Sequence, residues 1–462
     1  MSKDQDAAAG MSRTEARSAA SMAIIYALRM LGLFMIFPVF ALYAEHLEGF
    51  TPALTGLAIG IYGLTQAFLQ IPYGLLSDRI GRKPVIIFGL LVFALGSVMA
   101  ANADSIYGVI AGRAMQGAGA IAAAVMALTA DLVREEHRVK AMAIIGMSIG
   151  ASFALAMVLG PVLNTWIGVP GIFWLTALLA LGGIVVIILL TPNPVVSRVR
   201  RDAEPVPAQF RAVLRDPQLL RLDTGIFSLH LILTASFVVL PLALRDEAGL
   251  AASRHWEVYL PALLLSLPMA IPFILQAEKH RRMKQVFVGA IAVIVLAELV
   301  LYRFHSQVSG IVIGLFIFYS AFNLLEAMLP SLIAKMAPPD SKGTAMGFYS
   351  SSQFFGAFIG GTTGGLLHGR FGLGAVFLFC ALVALGWLIF AISMKQPRFL
   401  ATRLLRVGRL DPDAARQLAL RMTAVPGVVE AVVIAEDEIA YLKLDERELD
   451  EGALNAFAVL DA

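Results

Sequence analysis

The run Gly74-Leu75-Leu76-Ser77-Asp78-Arg79-Ile80-Gly81-Arg82-Lys83 decides how the rest of the chain is read. Long apolar stretches flank it, IGIYGLTQAFLQIPY before and PVIIFGLLVFALGSVMAA after. Two glycines, a carboxylate and three cations between two such stretches read as a short polar turn joining two membrane helices. Composition agrees. The chain has 462 residues, of which 58% are hydrophobic and 15% charged, and its mean hydropathy is +0.78. Soluble domains run about 45–50% apolar and about 25% charged, so the excess apolar surface must face a bilayer. A net charge of +3, spread between apolar segments, is no nucleic-acid footprint, which needs a basic face.

Working outward, a hydrocarbon core of about 30 Å needs about 20 apolar residues per helix. That places spans at 18–44, 53–77, 84–102, 105–131, 139–165 and 170–191, then at 219–244, 256–277, 285–303, 307–333, 342–367 and 371–394. The expected fold is an all-α membrane protein of twelve transmembrane helices in two six-helix halves. The expected divisions are an N-terminal tail 1–17, a first half 18–191, a central loop 192–218, a second half 219–396 and a C-terminal domain 397–462. No signal-peptide pattern stands out, so the first helix is expected to stay in the mature protein. Lys and Arg set the orientation. With the N-terminus inside, the inner hairpin loops hold Arg79, Arg82, Lys83, Arg134, Arg138, Lys140, Lys279, Arg281, Arg282, Lys284, Lys335 and Lys342. The outer loops hold only Arg245, Arg254, Arg303 and Arg370, and the central loop adds Arg198, Arg200, Arg201, Arg211 and Arg215 inside. Both termini are therefore expected in the cytoplasm. The second half echoes the first, with FILQAEKHRRMKQVFVG after helix 8 where the opening run follows helix 2. Such a repeat suits halves that rock around a central site.

Three motifs carry a resemblance. The opening run is similar to the loop 2–3 signature of the major facilitator superfamily, G-x-L-x-D-R-x-G-R-K. Arg113-Ala114-Met115-Gln116-Gly117-Ala118-Gly119 in helix 4 resembles that family's R-x-x-Q-G-x-G, and Leu159-Gly160-Pro161 in helix 5 resembles its antiporter signature without the terminal glycine pair. The chain as a whole resembles the drug:proton antiporter branch, in a subgroup with a small domain after helix 12. The resemblance implies a conformational latch made of Gly74, Asp78, Arg79, Gly81, Arg82 and Lys83, closing the cytoplasmic side in the outward-facing state. Asp78 would face the start of helix 11 near Gly343, and Arg82 would pair with Asp131 at the end of helix 4. It implies further that Arg113, with Gln116 beside it, influences proton movement, and that Gly160 and Pro161 bend helix 5.

Ionisable residues inside a membrane are functional candidates. Glu326, beside Asn323 in AFNLLEAMLPS of helix 10, is the candidate proton carrier, and Arg29 in helix 1 its candidate charge partner or an anion contact. His230 in helix 7 reads as a proton-pathway candidate or a packing residue. Glu298 and Arg303 are expected to snorkel at the outer end of helix 9, and Asp223 to be a solvated helix terminus. Met30, Phe34, Met35, Phe37, Phe318, Tyr319, Phe322 and Met328 are candidate cavity lining, suited to apolar or cationic compounds. Cys380 reads as an inert buried hydrophobe.

From about 398 the chain turns polar. ATRLLRVG alternates like a strand, and DPDAARQLALRMTAV starts a helix with Asp411 as cap and Pro412 at its first position. GVVEAVVIA and EIAYLKLD, parted by Glu436-Asp437, suggest a hairpin, and 448–460 a second helix. The order β-α-β-β-α is most of a small α+β ferredoxin-like unit. It has no cysteine, so metal delivery is not expected.

The expected function is secondary active transport: proton-coupled efflux of a small, lipophilic or cationic molecule across a bacterial inner membrane. No metal site, no cofactor and no P-loop for ATP is found, and nothing points to an enzyme. Partners are the substrate, protons and the bilayer, with a monomer expected and the tail able to mediate association. Two other readings stay open, a facilitator or importer of a small metabolite and a membrane sensor relaying ligand binding to the tail.

Overall fold

The computed structural model describes residues 10–193, 207–280, 282–338, 341–396, 401–408, 410–435, 438–445 and 448–457. The first half is built from α1 (Arg13–Phe34), α2 (Phe40–Ala44), α3 (Pro52–Ile80), α4 (Arg82–Ala101), α5 (Ile106–Ala118), α6 (Ala122–Leu132) and α7 (Glu135–Leu189). After a short α8 (Phe210–Val213) come α9 (Pro217–Leu242), α10 (Trp256–Lys279), α11 (Met283–Phe304), α12 (Val308–Met336), α13 (Lys342–Phe371) and α14 (Leu373–Ile392). Local sequence sets the starts. Ser12 and Glu15 form a reciprocal capping box at α1, and Thr51-Pro52 and Asp216-Pro217 place a capping oxygen and then proline at the first turns of α3 and α9.

Ten stretches among the described residues are long and apolar enough to cross a membrane. One of them, Lys140–Leu189, is 50 residues long and would reach about 75 Å if straight, more than twice a bilayer core. Gly168, at φ +66°, turns it back on itself just before Pro170, giving two spans. The helix missing from the ten is α13, whose Gly, Ser and Thr content lowers its hydropathy because it is packed between α3 and α9 and faces little lipid. With these two features the twelve expected spans all lie on helices.

Two spans are broken where the sequence reading ran them straight. The first stops at Phe34 and resumes at Phe40, around Pro38, which has no N–H to donate. The fourth stops at Ala118 and resumes at Ala122. Gly119 in that gap packs on α4 so tightly that a Cβ would lie 2.3 Å from the Gly89 carbonyl.

The halves meet along a glycine seam. A Cβ on Gly56 would stand 2.1 Å from the Gly361 carbonyl, one on Gly60 2.7 Å from the Phe358 carbonyl, and one on Gly63 2.3 Å from the Phe354 carbonyl. These contacts lie on the start of α3 and the later turns of α13, at the end of the bundle away from the chain termini. At that far end Arg245 also clamps Glu45 with two hydrogen bonds of 2.6 and 2.8 Å, joining the end of α9 to the end of α2. Between the far end and the middle, Phe34, Phe37 and Phe153 of the first half interlock with Phe237, Tyr319 and Phe322 of the second.

The tail holds β1 (Ala401–Arg406), α15 (Pro412–Thr423), β2 (Val428–Ile434), β3 (Ile439–Leu444) and α16 (Glu451–Asn455). Asp411 caps α15, accepting from the Asp413 and Ala414 amides. The sheet is antiparallel in the order β1-β3-β2. Glu436 and Asp437, between β2 and β3, and the end of the expected last helix lie outside the described residues. Strand β3 is buried on both faces: Ala440, Leu442 and Leu444 pack with Met422 and Leu454, while Tyr441 and Lys443 are buried on the other side. There Lys443 Nζ donates to the carbonyl of Met336, 3.4 Å away at the end of α12. A lysine suits a helix C-terminus, where carbonyls are free and the dipole is negative.

Candidate functional site

Four of the opening motif's residues meet in one buried cluster. Gly81, at φ +97°, turns the chain between α3 and α4, and Ser77 donates to the Gly74 carbonyl (2.7 Å). Arg82, 2% exposed, donates to Ser77 Oγ at 2.8 Å and to Asp131 Oδ2 at 3.2 Å, and it pairs with Asp78. Lys83 donates to the Thr191 carbonyl at 2.6 Å, while Arg79 is exposed. The Asp78 ion pair thus stays inside the first half rather than reaching the start of α13, because Arg82 follows one helical turn later and takes the carboxylate. Removing a buried partner of two carboxylates costs about 3–5 kcal/mol. Arg82→Ala should therefore lower the thermal unfolding midpoint of the purified protein clearly, whereas Arg79→Ala should leave it nearly unchanged.

A second cluster sits deeper in the first half. Arg113, 1% exposed, donates to the carbonyls of Ala58 and Ile59 on α3 and to Gln116 Oε1 at 2.9 Å. Gln116 in turn donates to Ser97 Oγ on α4. Arg29 donates to Gln66 Oε1 (2.8 Å) and to the Gly119 carbonyl freed by the break in the fourth span (3.0 Å). Both guanidinium groups lie within 6 Å of the Tyr62 ring. Arg29 is therefore not the partner of Glu326: it stands in the other half and is held by amide and carbonyl oxygens.

The partner of Glu326 is His230. Their Oε1 and Nε2 are 3.4 Å apart, and the Gln353 amide nitrogen of α13 lies 2.8 Å from the same Nε2. Three helices, α9, α12 and α13, each bring one polar side chain to this point. The Glu326 side chain keeps 31% of its exposure. The aromatic interlock lies farther from the termini: Phe318 and Phe322 precede Glu326 on the descending α12, and Phe237 follows His230 on the ascending α9. Glu326 thus opens toward the end of the bundle that carries the termini. Asn323 turns away, donating to Ser266 Oγ of α10 at 3.2 Å.

Three sequence expectations are corrected. Glu298 does not snorkel: it is fully buried and receives a hydrogen bond from Ser236 Oγ at 3.2 Å, because its face of α11 turns inward to α9 and α14. Asp223 is not a solvated terminus but 7% exposed, since the first turns of α9 are covered by α12, α13 and α14. The backbone of α7 keeps helical φ and ψ at Gly160 and Pro161, and the break at Gly168 parts the fifth and sixth spans. Gly160 serves a close approach, where a Cβ would come within 2.4 Å of the Met35 carbonyl. The pairing of Arg29 with Glu326 is the third. Sequence reasoning missed Gln353, Tyr349 and Phe153. The low hydropathy and Ser-rich run Ser350-Ser351-Ser352-Gln353 was the available signal for the first two.

A sequence model described as Major Facilitator Superfamily matches residues 22–277 and 255–408, which together take in most of the chain. The chain belongs to the major facilitator superfamily. Among curated relatives, the inner membrane transport protein YajR of Escherichia coli (strain K12) is 48% identical over 438 residues, covering 95% of this chain and 96% of YajR. An uncharacterized transporter of Buchnera aphidicola subsp. Schizaphis graminum is 35% identical, covering 81% and 96%. The multidrug resistance protein MdtH of Aeromonas salmonicida is 25% identical, covering 73% and 84%. Among solved structures, the human organic anion transporter MFSD10 superposes with a TM-score of 0.62 at 19% identity, over 82% of this chain and all of that one. A bacterial homolog of the human lysosomal transporter Spinster gives 0.65 at 14% identity, over 83% and 97%. At such identities these likenesses show the fold alone. The family's members are transporters, and this chain is a multi-pass membrane transporter rather than an enzyme.

Proposed function

We propose that this transporter exports a small lipophilic or cationic molecule in exchange for protons, with Glu326 as proton carrier and His230 and Gln353 as its partners. The observation that carries this reading is the placement of Glu326. It is a carboxyl in a membrane helix, about 15 Å from the end of α12, facing a histidine beside an aromatic interlock. Such a group is costly to bury unless it gains and loses a proton in its work. The aromatic lining suits apolar and cationic cargo, and the multidrug name of a distant relative points the same way. We further propose the sequence-derived divisions, 1–17, 18–191, 192–218, 219–396 and 397–462, an inner-membrane location and cytoplasmic termini. On that orientation the Glu45–Arg245 clamp and the glycine seam close the outer face, and Glu326 opens to the cytoplasm. The cluster of Gly74, Asp78, Gly81, Arg82, Lys83 and Asp131 then serves as the latch. Asp78 would leave Arg82 for the start of α13 when the inner side closes.

Everted membrane vesicles with an imposed proton gradient and a pH-sensitive dye test this. Tetraphenylphosphonium, ethidium and a set of small metabolites are added in turn. A compound that dissipates the gradient only in vesicles holding the transporter is the expected result. Uptake that survives an uncoupler would move the reading to a facilitator. Ligand binding to the isolated detergent-purified chain with no transport of any kind would move it to a sensor.

A further inference from the structure

A row of buried polar atoms runs from the Glu326 site toward the termini. Among the described residues, Glu326 Oε1 has only the 3.4 Å contact with His230 Nε2, and the hydroxyl of Tyr349 and Oδ1 of Asp223 have no hydrogen-bond partner. Under-satisfied buried polar atoms are rare and call for an explanation; these three, in one region of one half, share one. Their order follows from the helices. Asp223 precedes His230 by seven residues on α9, two turns or about 10 Å nearer the terminal end and on the same face. Tyr349 precedes Gln353, which meets His230, by four residues on α13, about 6 Å nearer the terminal end, so its level falls between those of His230 and Asp223. Tyr349 is within electrostatic reach of both Glu326 and Asp223.

The surroundings offer Asp223 no counter-ion among the described residues. Facing this row are His230 from α9, Glu326 from α12 and Tyr349 from α13. From α14 comes the indole of Trp387, which packs against Gly225 and also lacks a partner for its nitrogen. The nearby cations are engaged elsewhere: Arg221 donates to the Pro217 carbonyl and Ser393, and Lys335 Nζ lies 3.5 Å from Met283 Sδ. A carboxyl held this way, without a cation to fix its charge, is suited to take up and pass on a proton.

We propose that Asp223 is a second proton site, the cytoplasmic relay through which Glu326 exchanges its proton, with Tyr349 positioned between their levels. The step is a proton hop: the Glu326 carboxyl gives its proton through the Tyr349 hydroxyl, or a water bound to it, to the Asp223 carboxylate, which releases it to the cytoplasm. No other bond changes. This rests on Glu326 as carrier and adds the path by which it is reached.

The test needs no cargo. Full-length protein in lipid nanodiscs is given a pH jump while infrared absorption follows the carboxyl stretching bands. Among the buried-carboxyl bands of the wild type, one that titrates should be missing in Glu326→Gln and another in Asp223→Asn. In Asp223→Asn and Tyr349→Phe the Glu326 band should remain and respond at least about tenfold more slowly, and Asp223→Glu should restore the rate. Response at the wild-type rate in both slow variants, with the Glu326 band present, would overturn the relay and leave the carrier standing. If Glu326→Gln removes no titrating band, the carrier falls and the relay with it.

Discussion

Glu326→Gln should abolish proton coupling while leaving a folded, inserted transporter. The amide has the size of the carboxyl and can still meet His230 at 3.4 Å, so packing against α9 and α13 is kept. What it loses is the ability to bind and release a proton. In everted vesicles, gradient dissipation by a transported cation should fall by at least about a hundredfold, in line with the loss of a positioned proton-transfer group. Exchange of labelled for unlabelled cargo, which moves no net proton, should continue. Wild-type coupling in this variant would end the role of Glu326 as carrier. A variant that loses exchange as well would indicate a group needed to bind cargo. His230→Gln separates the partner from the carrier: it should change the pH at which coupling occurs without removing it.

Gly361→Val is the second large effect. A Cβ at Gly361 would come within 2.7 Å of the Gly56 carbonyl and 2.9 Å of the Gly60 Cα. Both are backbone atoms of the other half, so nothing can rotate away and the halves must separate at the far end. Overpacking of this kind costs about 1–3 kcal/mol, enough to shift the balance between open and sealed far ends about 5- to 150-fold. Transport should fall accordingly, and a cysteine placed at Phe37 should become reactive to an impermeant maleimide from the outside. Gly146→Val is the control, since nothing lies within 4 Å of a Cβ there, and it should transport normally. Normal transport by Gly361→Val would mean that the glycine seam is not needed for the cycle.

Both predictions rest on residues that sequence reasoning reached to different degrees. Glu326 was legible at once, because a carboxyl in an apolar helix has few structural explanations. Its partner was not. Arg29 was the natural candidate on charge alone, and only the fold shows that it belongs to the other half, fixed on Gln66 and Gly119. The pairing of Arg82 with Asp131 came from the family resemblance, and the geometry has the two in contact. That Asp78 pairs with the same arginine, rather than with α13, was not legible in the motif and follows from Arg82 lying one helical turn farther on.

Asp223 and Glu298 show the limit in another way. Depth along a helix can be counted from the sequence, which put both near span ends where water is close. Exposure depends also on which neighbours cover that face, and the spacing of apolar residues in an all-apolar helix does not tell one face from another. The glycines of α13 leave it less apolar than the other spans for the same reason: a helix covered by other helices need not be apolar, and small residues there allow close backbone approach.

The sequence by itself determined the class, the number of the spans, the family and the presence of a separate α+β tail. These follow from hydropathy, charge placement and short motifs, all of which act over a few tens of residues. Tertiary structure alone decided which polar side chains meet, where spans one and four break, that the halves meet along the glycines of α3 and α13, and that Lys443 of the tail sits on the end of α12. Those outcomes depend on contacts between residues far apart in the chain, and each is settled by the rotation and depth of whole helices against one another.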